Sequence, residues 1–261
     1  MSQVFHLAAI LQALYGEVPS FRSNMTRTPS RGSHPKVLMI HGFQGKDRDF
    51  SLELRVLKKI YPSSECTPWR WNTPEVDFYE IPSHWEKAVQ DQVQAAEDLF
   101  RDIQSMSSEE QRRLILVGHS LGGGIVIHAL AKCQKTNIKI DHFLLLGAAI
   151  NNDDPDIARA LDATTNRSIN LVNTWDYALA AYLIVQQAPA LGTGSALAND
   201  DRLCELAFNE KMGIAHDALF YLMNFQKCLE NKQVPSEAGI TTLSLLGELG
   251  ANLTRFFENG F

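Results

Sequence analysis

From Val37 onward the chain alternates short apolar runs with longer stretches whose apolar residues recur every three or four positions. Apolar runs too short for a helix and closed by glycine read as buried strands. Stretches with helical spacing read as amphipathic helices. Strands separated by helices are joined by crossovers rather than hairpins, which makes the sheet mostly parallel with helices on both faces. The expected class is therefore α/β. Strands are expected over 37–41, 69–71, 114–117, 143–148 and 169–172, the last extending toward Trp175. Helices are expected over 50–61, 85–103, 121–133, 153–161, 178–187, 216–227 and 241–257.

Ahead of this pattern, Val4, Leu7, Ala8 and Leu11 fall at helical spacing, and 16–36 is rich in Ser, Pro, Arg and Thr. The organisation expected is an N-terminal amphipathic helix and linker over 1–35, then one α/β domain over 36–261. The first helix is read as docking on the domain. A cleaved signal peptide is the alternative, but the segment lacks a basic leader and a clear small-residue cleavage site. The Asn24, Asn166 and Asn252 triplets would suit secretion, although such triplets arise easily by chance.

Composition removes several classes. With 261 residues the chain can bury a large core without a disulfide or metal. At 45% hydrophobic and 21% charged it is neither disordered nor a coiled coil. A net charge of −6 argues against duplex nucleic acid as the main partner. Cys66, Cys133, Cys204 and Cys228 form no CxxC pair, which removes zinc-ribbon and thioredoxin readings. They read as mostly buried free thiols in a reducing compartment, hence a cytoplasmic location. No apolar run approaches the length of a transmembrane helix.

The chemistry concentrates in Leu114-Ile-Leu-Val-Gly118-His-Ser120-Leu-Gly122. This is G-x-S-x-G between an expected strand and an expected helix, the context a nucleophile elbow requires. In so tight a turn, side chains at the neighbours would clash, and Gly118 and Gly122 remove them. Ser120 then stands at a helix N-terminus, where the dipole favours developing negative charge.

A serine needs a base. Of eight histidines, His6 and His34 precede the domain, His41 and His119 sit in turns, His84 and His128 are in helices, and His142 opens a strand at the far sheet edge. His216 follows all the expected strands and suits a loop reaching back over the elbow. The acid that orients it is expected at Asp176, after the fifth strand, with Asp153 and Asp154 as alternatives. Two backbone amides should hold the oxyanion: Leu121, next to the nucleophile, and Phe43, after the first strand, with Gln44 as its alternative.

His41-Gly42-Phe43, Gly118-His119-Ser120-Leu121-Gly122-Gly123, Asp176 and His216 together resemble the α/β-hydrolase superfamily over about 36–226. The resemblance implies the α/β-hydrolase fold and an esterase- or lipase-like serine hydrolase with a small-molecule or lipid acyl ester as substrate. Two departures stand out. Residues 204–215 show no clear strand before His216, and 151–167 is too short and polar for a large interfacial lid; the loop over 188–201 could cover the site instead. Trp175, Phe50, Tyr177 and Phe220 are candidates for an acyl pocket, although plain core packing is the favoured reading of them.

No metal or cofactor motif is present. Gly42-Phe-Gln-Gly45-Lys46-Asp47 is too short for a P-loop and carries Asp47 where a Ser or Thr would be needed. A serine hydrolase of an acyl ester or thioester is expected. Acyl transfer or amide hydrolysis by the same triad, a non-catalytic binding module and a membrane-peripheral lipase are the alternatives.

Overall fold

Apolar side chains that alternate along a strand must be covered on both faces of the sheet, and this requirement organises the molecule. The structure is a computed structural model that describes residues 34–43, 45–73, 81–173, 176, 178–179, 182, 186, 189–193, 200–208 and 216–231. The expected helices over 4–15 and 241–257 lie outside those residues, as does 1–33 of the expected N-terminal region.

The elements are, in order, β1 (Lys36–Ile40), α1 (Ser51–Ile60), β2 (Glu65–Trp69), α2 (Ile81–Ser105), α3 (Ser108–Arg112), β3 (Leu114–His119), α4 (Leu121–Lys135), β4 (His142–Leu146), α5 (Asp156–Asp162), β5 (Ser168–Val172), a 3-10 turn (Leu191–Thr193), β6 (Leu203–Ala207) and α6 (Ala218–Asn231). The described strands form one parallel sheet in the order β2-β1-β3-β4-β5-β6.

Two-residue periodicity divides the core. Leu38 and Ile40 of β1, Leu114 and Leu116 of β3, and Phe143 and Leu145 of β4 pack with Leu99 and Ile103 of α2 and Leu121 and Ile125 of α4. Val37, Met39, Ile115, Val117, Leu144 and Leu146 point the other way, onto Leu57 of α1 and Tyr221, Leu222 and Phe225 of α6. A one-residue slip in any of these strands would exchange its two apolar sets. Ser107 starts α3 with a capping box: its hydroxyl accepts from the Glu110 amide, and the Glu110 carboxylate accepts from the Ser107 amide at 2.8 Å.

Two strand expectations need correction. The second strand is Glu65–Trp69, not 69–71. Among the described strands it is at the edge and pairs only with β1, which is why it tolerates Pro68 and lacks a continuous apolar run. A strand does precede His216: Leu203–Ala207 pairs with β5 along its whole length. Its middle residues Cys204 and Glu205 are only half-buried, so this other edge carries little apolar signal.

The strand order also locates a crevice. From β1 the chain passes to β2 on one side, while β3 lies on the other side of β1. Connections that leave neighbouring parallel strands in opposite directions open a gap at the strands' C-terminal ends, where ligands bind in open α/β sheets. Here those ends carry His41-Gly42 and His119-Ser120.

Candidate active site

The elbow is built by close backbone approach. Ser120 has φ 53° and ψ −126°, a left-handed conformation that a side chain rarely adopts. Its amide donates to the Leu146 carbonyl at 3.2 Å, and its carbonyl accepts from the Gly123 and Ala149 amides, each at 2.9 Å. These bonds pin the turn to the end of β4. A Cβ on Gly122 would lie 2.4 Å from the Ile40 carbonyl oxygen, and one on Gly118 would lie 2.7 Å from that of Gly122. Both glycines are therefore required by space. Leu121 is the first residue of α4, so its N–H has no acceptor within the helix.

The loop after β1 lies against this turn. A Cβ on Gly42 would meet the Ser120 Cβ at 2.6 Å. Phe43, the next residue, is half-buried and packs on the core of the α2–α4 face. Gln44 is outside the described residues. His41 is a brace for this loop. Its Nε2 accepts from the Trp71 amide at 3.2 Å, which leaves Nδ1–H to donate to the Gly42 carbonyl at 2.7 Å. Its ring stacks between Phe50 and Trp71, and the Trp71 indole N–H donates to the His41 carbonyl at 2.8 Å. Burial holds the imidazole below its ordinary range, with Arg70 acting the same way.

Asp176 and His216 meet although 40 positions separate them. His216 Nδ1–H donates to Asp176 Oδ2 at 2.5 Å. Asp176 is almost wholly buried; Oδ1 also accepts the amides of Ala178 at 3.1 Å and Leu179 at 3.2 Å. Burial alone would push its carboxyl up. The His216 ring, the Tyr221 hydroxyl and the Leu179 amide outweigh that and hold it below the usual value.

The His216 ring centroid lies 4.7 Å from that of His119, the residue before Ser120. His216 Nε2 is buried with no hydrogen-bond partner among the described residues, so it and Ser120 are not hydrogen-bonded here. Such contacts are commonly loose in an unliganded site. Burial first, and then the neighbouring His216, Arg48 and His41, hold His119 well below its ordinary value, so it is neutral at physiological pH.

The other candidates go elsewhere. Asp154 Oδ1 accepts from the Asp156 amide at the start of α5. His128 pairs with Asp156 at 3.0 Å, and His142 bonds the Tyr61 hydroxyl at 3.0 Å. His128, Asp154 and Asp156 could bring ligand atoms within 4.8 Å of one another, but Arg159 already sits 2.6 Å from Asp156 and supplies the positive charge there. Burial pushes the Cys133 thiol up to about 12 and Cys204 to about 11, so neither is a ready thiolate. Phe50 belongs to the core on the α1–α6 face, and Phe220 packs edge-on against Tyr221. Trp175 and Tyr177 are outside the described residues, as is 194–199 of the possible covering loop. The described start of that loop packs on the end of β4, where the Gly192 amide donates to the Ala148 carbonyl.

Several residues at the site carry no sequence signal. Arg48 bridges buried Glu53 at 2.6 Å and Asp217, the neighbour of His216, at 3.0 Å. Gln92 on α2 donates to the Leu121 carbonyl at 2.9 Å. Tyr221 donates to Asp176 Oδ2 at 2.7 Å. In the sequence all three read as ordinary helix or loop residues.

Among the described residues no helix is long and apolar enough to cross a membrane. In comparisons with known proteins, no curated sequence matches this chain. Among solved structures it is similar to TT1662 from Thermus thermophilus, at 15% identity and TM-score 0.47 over 77% of this chain and 90% of that one. It is also similar to a hyperthermophilic esterase from the archaeon Pyrobaculum calidifontis, at 13% identity and TM-score 0.43 over 78% and 79%. A carboxylesterase from Mesorhizobium loti aligns at 11% identity and TM-score 0.39 over 76% and 90%. The model of one family, described as the PGAP1-like alpha/beta domain, matches residues 31–176, from the segment before β1 to Asp176 itself. With six parallel strands among the described residues, a strand–serine–helix elbow at the crevice and more than half its length matched by that model, the chain has the α/β-hydrolase fold and belongs to the PGAP1-like alpha/beta domain family.

Proposed function

We propose that the protein is a serine hydrolase that cleaves an acyl ester or thioester through an acyl-enzyme. The observation that carries this reading is the joint geometry of Ser120 and His216. The serine stands in a strained elbow, and an imidazole oriented by a buried carboxylate packs against the adjoining residue.

In this reading Ser120 Oγ attacks the substrate carbonyl while His216 Nε2 takes its proton. The Leu121 and Phe43 amides stabilise the oxyanion. His216 returns the proton to the leaving alkoxide or thiolate as the carbonyl–oxygen or carbonyl–sulfur bond breaks. The same nitrogen then takes a proton from water, whose oxygen attacks the acyl-enzyme, and returns it to Ser120 Oγ as the acyl–Oγ bond breaks and the acid product leaves. Asp176 holds the tautomer with Nδ1–H toward itself and stabilises the imidazolium in both steps. The orphaned, buried Nε2 supports this assignment, because it is the ring nitrogen left available to a hydroxyl or a leaving group.

The test is fluorophosphonate labelling of wild type, Ser120→Ala and His216→Ala, run beside hydrolysis of p-nitrophenyl esters of increasing acyl length. Labelling confined to Ser120 and lost with either substitution is expected. The chain-length profile then separates a short-ester esterase from a lipase. A folded wild type that neither labels nor hydrolyses any ester would sink the reading and leave a binding module on the same fold.

A further inference from the structure

We propose that Tyr221 is a positioning residue for the acid: its hydroxyl shares the Asp176 oxygen that holds His216 and thereby sets how strongly the carboxylate supports the imidazole. The catalytic consequence rests on the serine-hydrolase reading above, whereas the hold of Tyr221 on Asp176 does not.

A carboxylate offers about four acceptor positions. All are taken at Asp176: two amides on Oδ1, and the His216 Nδ1–H and the Tyr221 O–H on Oδ2 at 2.5 and 2.7 Å. Two donors on one oxygen divide its charge, so the Tyr221 bond weakens the pull of Asp176 on the imidazole. The arrangement is built in rather than incidental. Tyr221 is completely buried and lies edge-on to His216, with ring centroids 6.5 Å apart at 85°. Its hydroxyl rests over Gly147, which has φ +52°; a Cβ there would come within 2.6 Å of the phenol oxygen. The backbone at the end of β4 thus leaves room for this hydroxyl. Burial and the adjacent carboxylate push the phenol well above its ordinary value, so it remains a donor throughout the working pH range.

Among the described residues, the other charged or titratable groups facing the pair are His119, against the His216 ring, and Asp217, next in the chain and bonded to Arg48. Arg48 and His41 act on His119 in turn. All of these stay in place in the variants below.

Two changes at position 221 test the proposal. Tyr221→Phe keeps the ring and removes the donor; 3-fluorotyrosine incorporated at 221 keeps the donor and strengthens it. One readout is the low-field proton resonance of the Asp176–His216 hydrogen bond. The other is the pH at which the rate of Ser120 labelling by a fluorophosphonate is half-maximal on its acid side. Tyr221→Phe is expected to move the resonance further downfield, to raise the half-maximal pH by about half a unit and to slow labelling at neutral pH by at most about threefold. The fluorinated residue is expected to move the resonance and the half-maximal pH the opposite way. A purely structural role for the ring would not produce opposite signs. Both readouts unmoved in folded variants would overturn the proposal, and if Tyr221→Phe does not fold, the fluorinated protein decides it. A resonance that responds in a protein that never labels would uphold the role of Tyr221 and overturn the hydrolase reading.

Discussion

At Gly42 there is room for a hydrogen atom and nothing larger. The loop after β1 approaches the elbow so closely that a Cβ at this position would sit 2.6 Å from that of Ser120. Gly42→Ala must therefore push the loop away from the elbow and carry the Phe43 amide with it. A displacement of about 1 Å at a catalytic group costs on the order of 100-fold in rate. Gly42→Ala is expected to lower kcat/KM by about that factor with the fold retained, measured on a p-nitrophenyl ester beside a circular dichroism spectrum. Near-wild-type turnover would mean that this loop supplies no oxyanion donor.

At the scale of elements, the elbow helix depends on a clamp from its neighbour. Gln92 of α2 is buried and donates to the Leu121 carbonyl in the first turn of α4. A Cβ on Gly124 would overlap its amide nitrogen, so α4 leaves a slot for this side chain. Gln92→Leu keeps the volume and deletes the bond. It is expected to cost about 1 kcal/mol in urea denaturation. It should also reduce kcat more than it raises KM, because the helix start that carries the Leu121 amide loses its lateral hold. Unchanged stability and turnover would show that the carbonyl is satisfied without it.

At the scale of the whole molecule, stability should fall on mild acidification. His119 and His41 are buried and held below the ordinary imidazole value of 6.5, chiefly by desolvation. As pH drops below that value, these imidazoles gain protons in the unfolded chain before they do in the native one. The unfolded state then binds more protons, and stability declines with falling pH. Depressed carboxyls act in the same sense at lower pH. The contribution of Asp176 is present above its ordinary value of 3.8 and is lost as pH falls through its lower native value. Urea midpoints should therefore drop between pH 7 and pH 5, and His41→Gln should make that drop shallower. A flat profile over that interval would show that both imidazoles protonate in place.

Much of this was legible in the sequence because strands and helices of one α/β layer carry their own periodicity. Leu114–His119 and Leu121–Lys135 are buried almost throughout, so the strand, the glycine-closed turn and the helix announce themselves locally. His216 and Asp176 could be singled out because connectivity leaves few polar residues beyond the C-terminal ends of the strands. The two edge strands were not legible as such. Among the described strands, Glu65–Trp69 and Leu203–Ala207 each pair on one side only, and an edge tolerates Pro68 or Glu205 where a central strand would not. Nor could any local pattern show that Tyr221 reaches Asp176, that Gln92 reaches Leu121 or that His41 is held by Trp71. Those contacts join residues 45, 29 and 30 positions apart. The sequence by itself determined the alternation of central strands and helices and the place of the strand–serine–helix turn, since both follow from short-range periodicity and sterics. Only the tertiary structure decided which polar groups share a hydrogen bond, because that depends on how separate elements pack across the sheet.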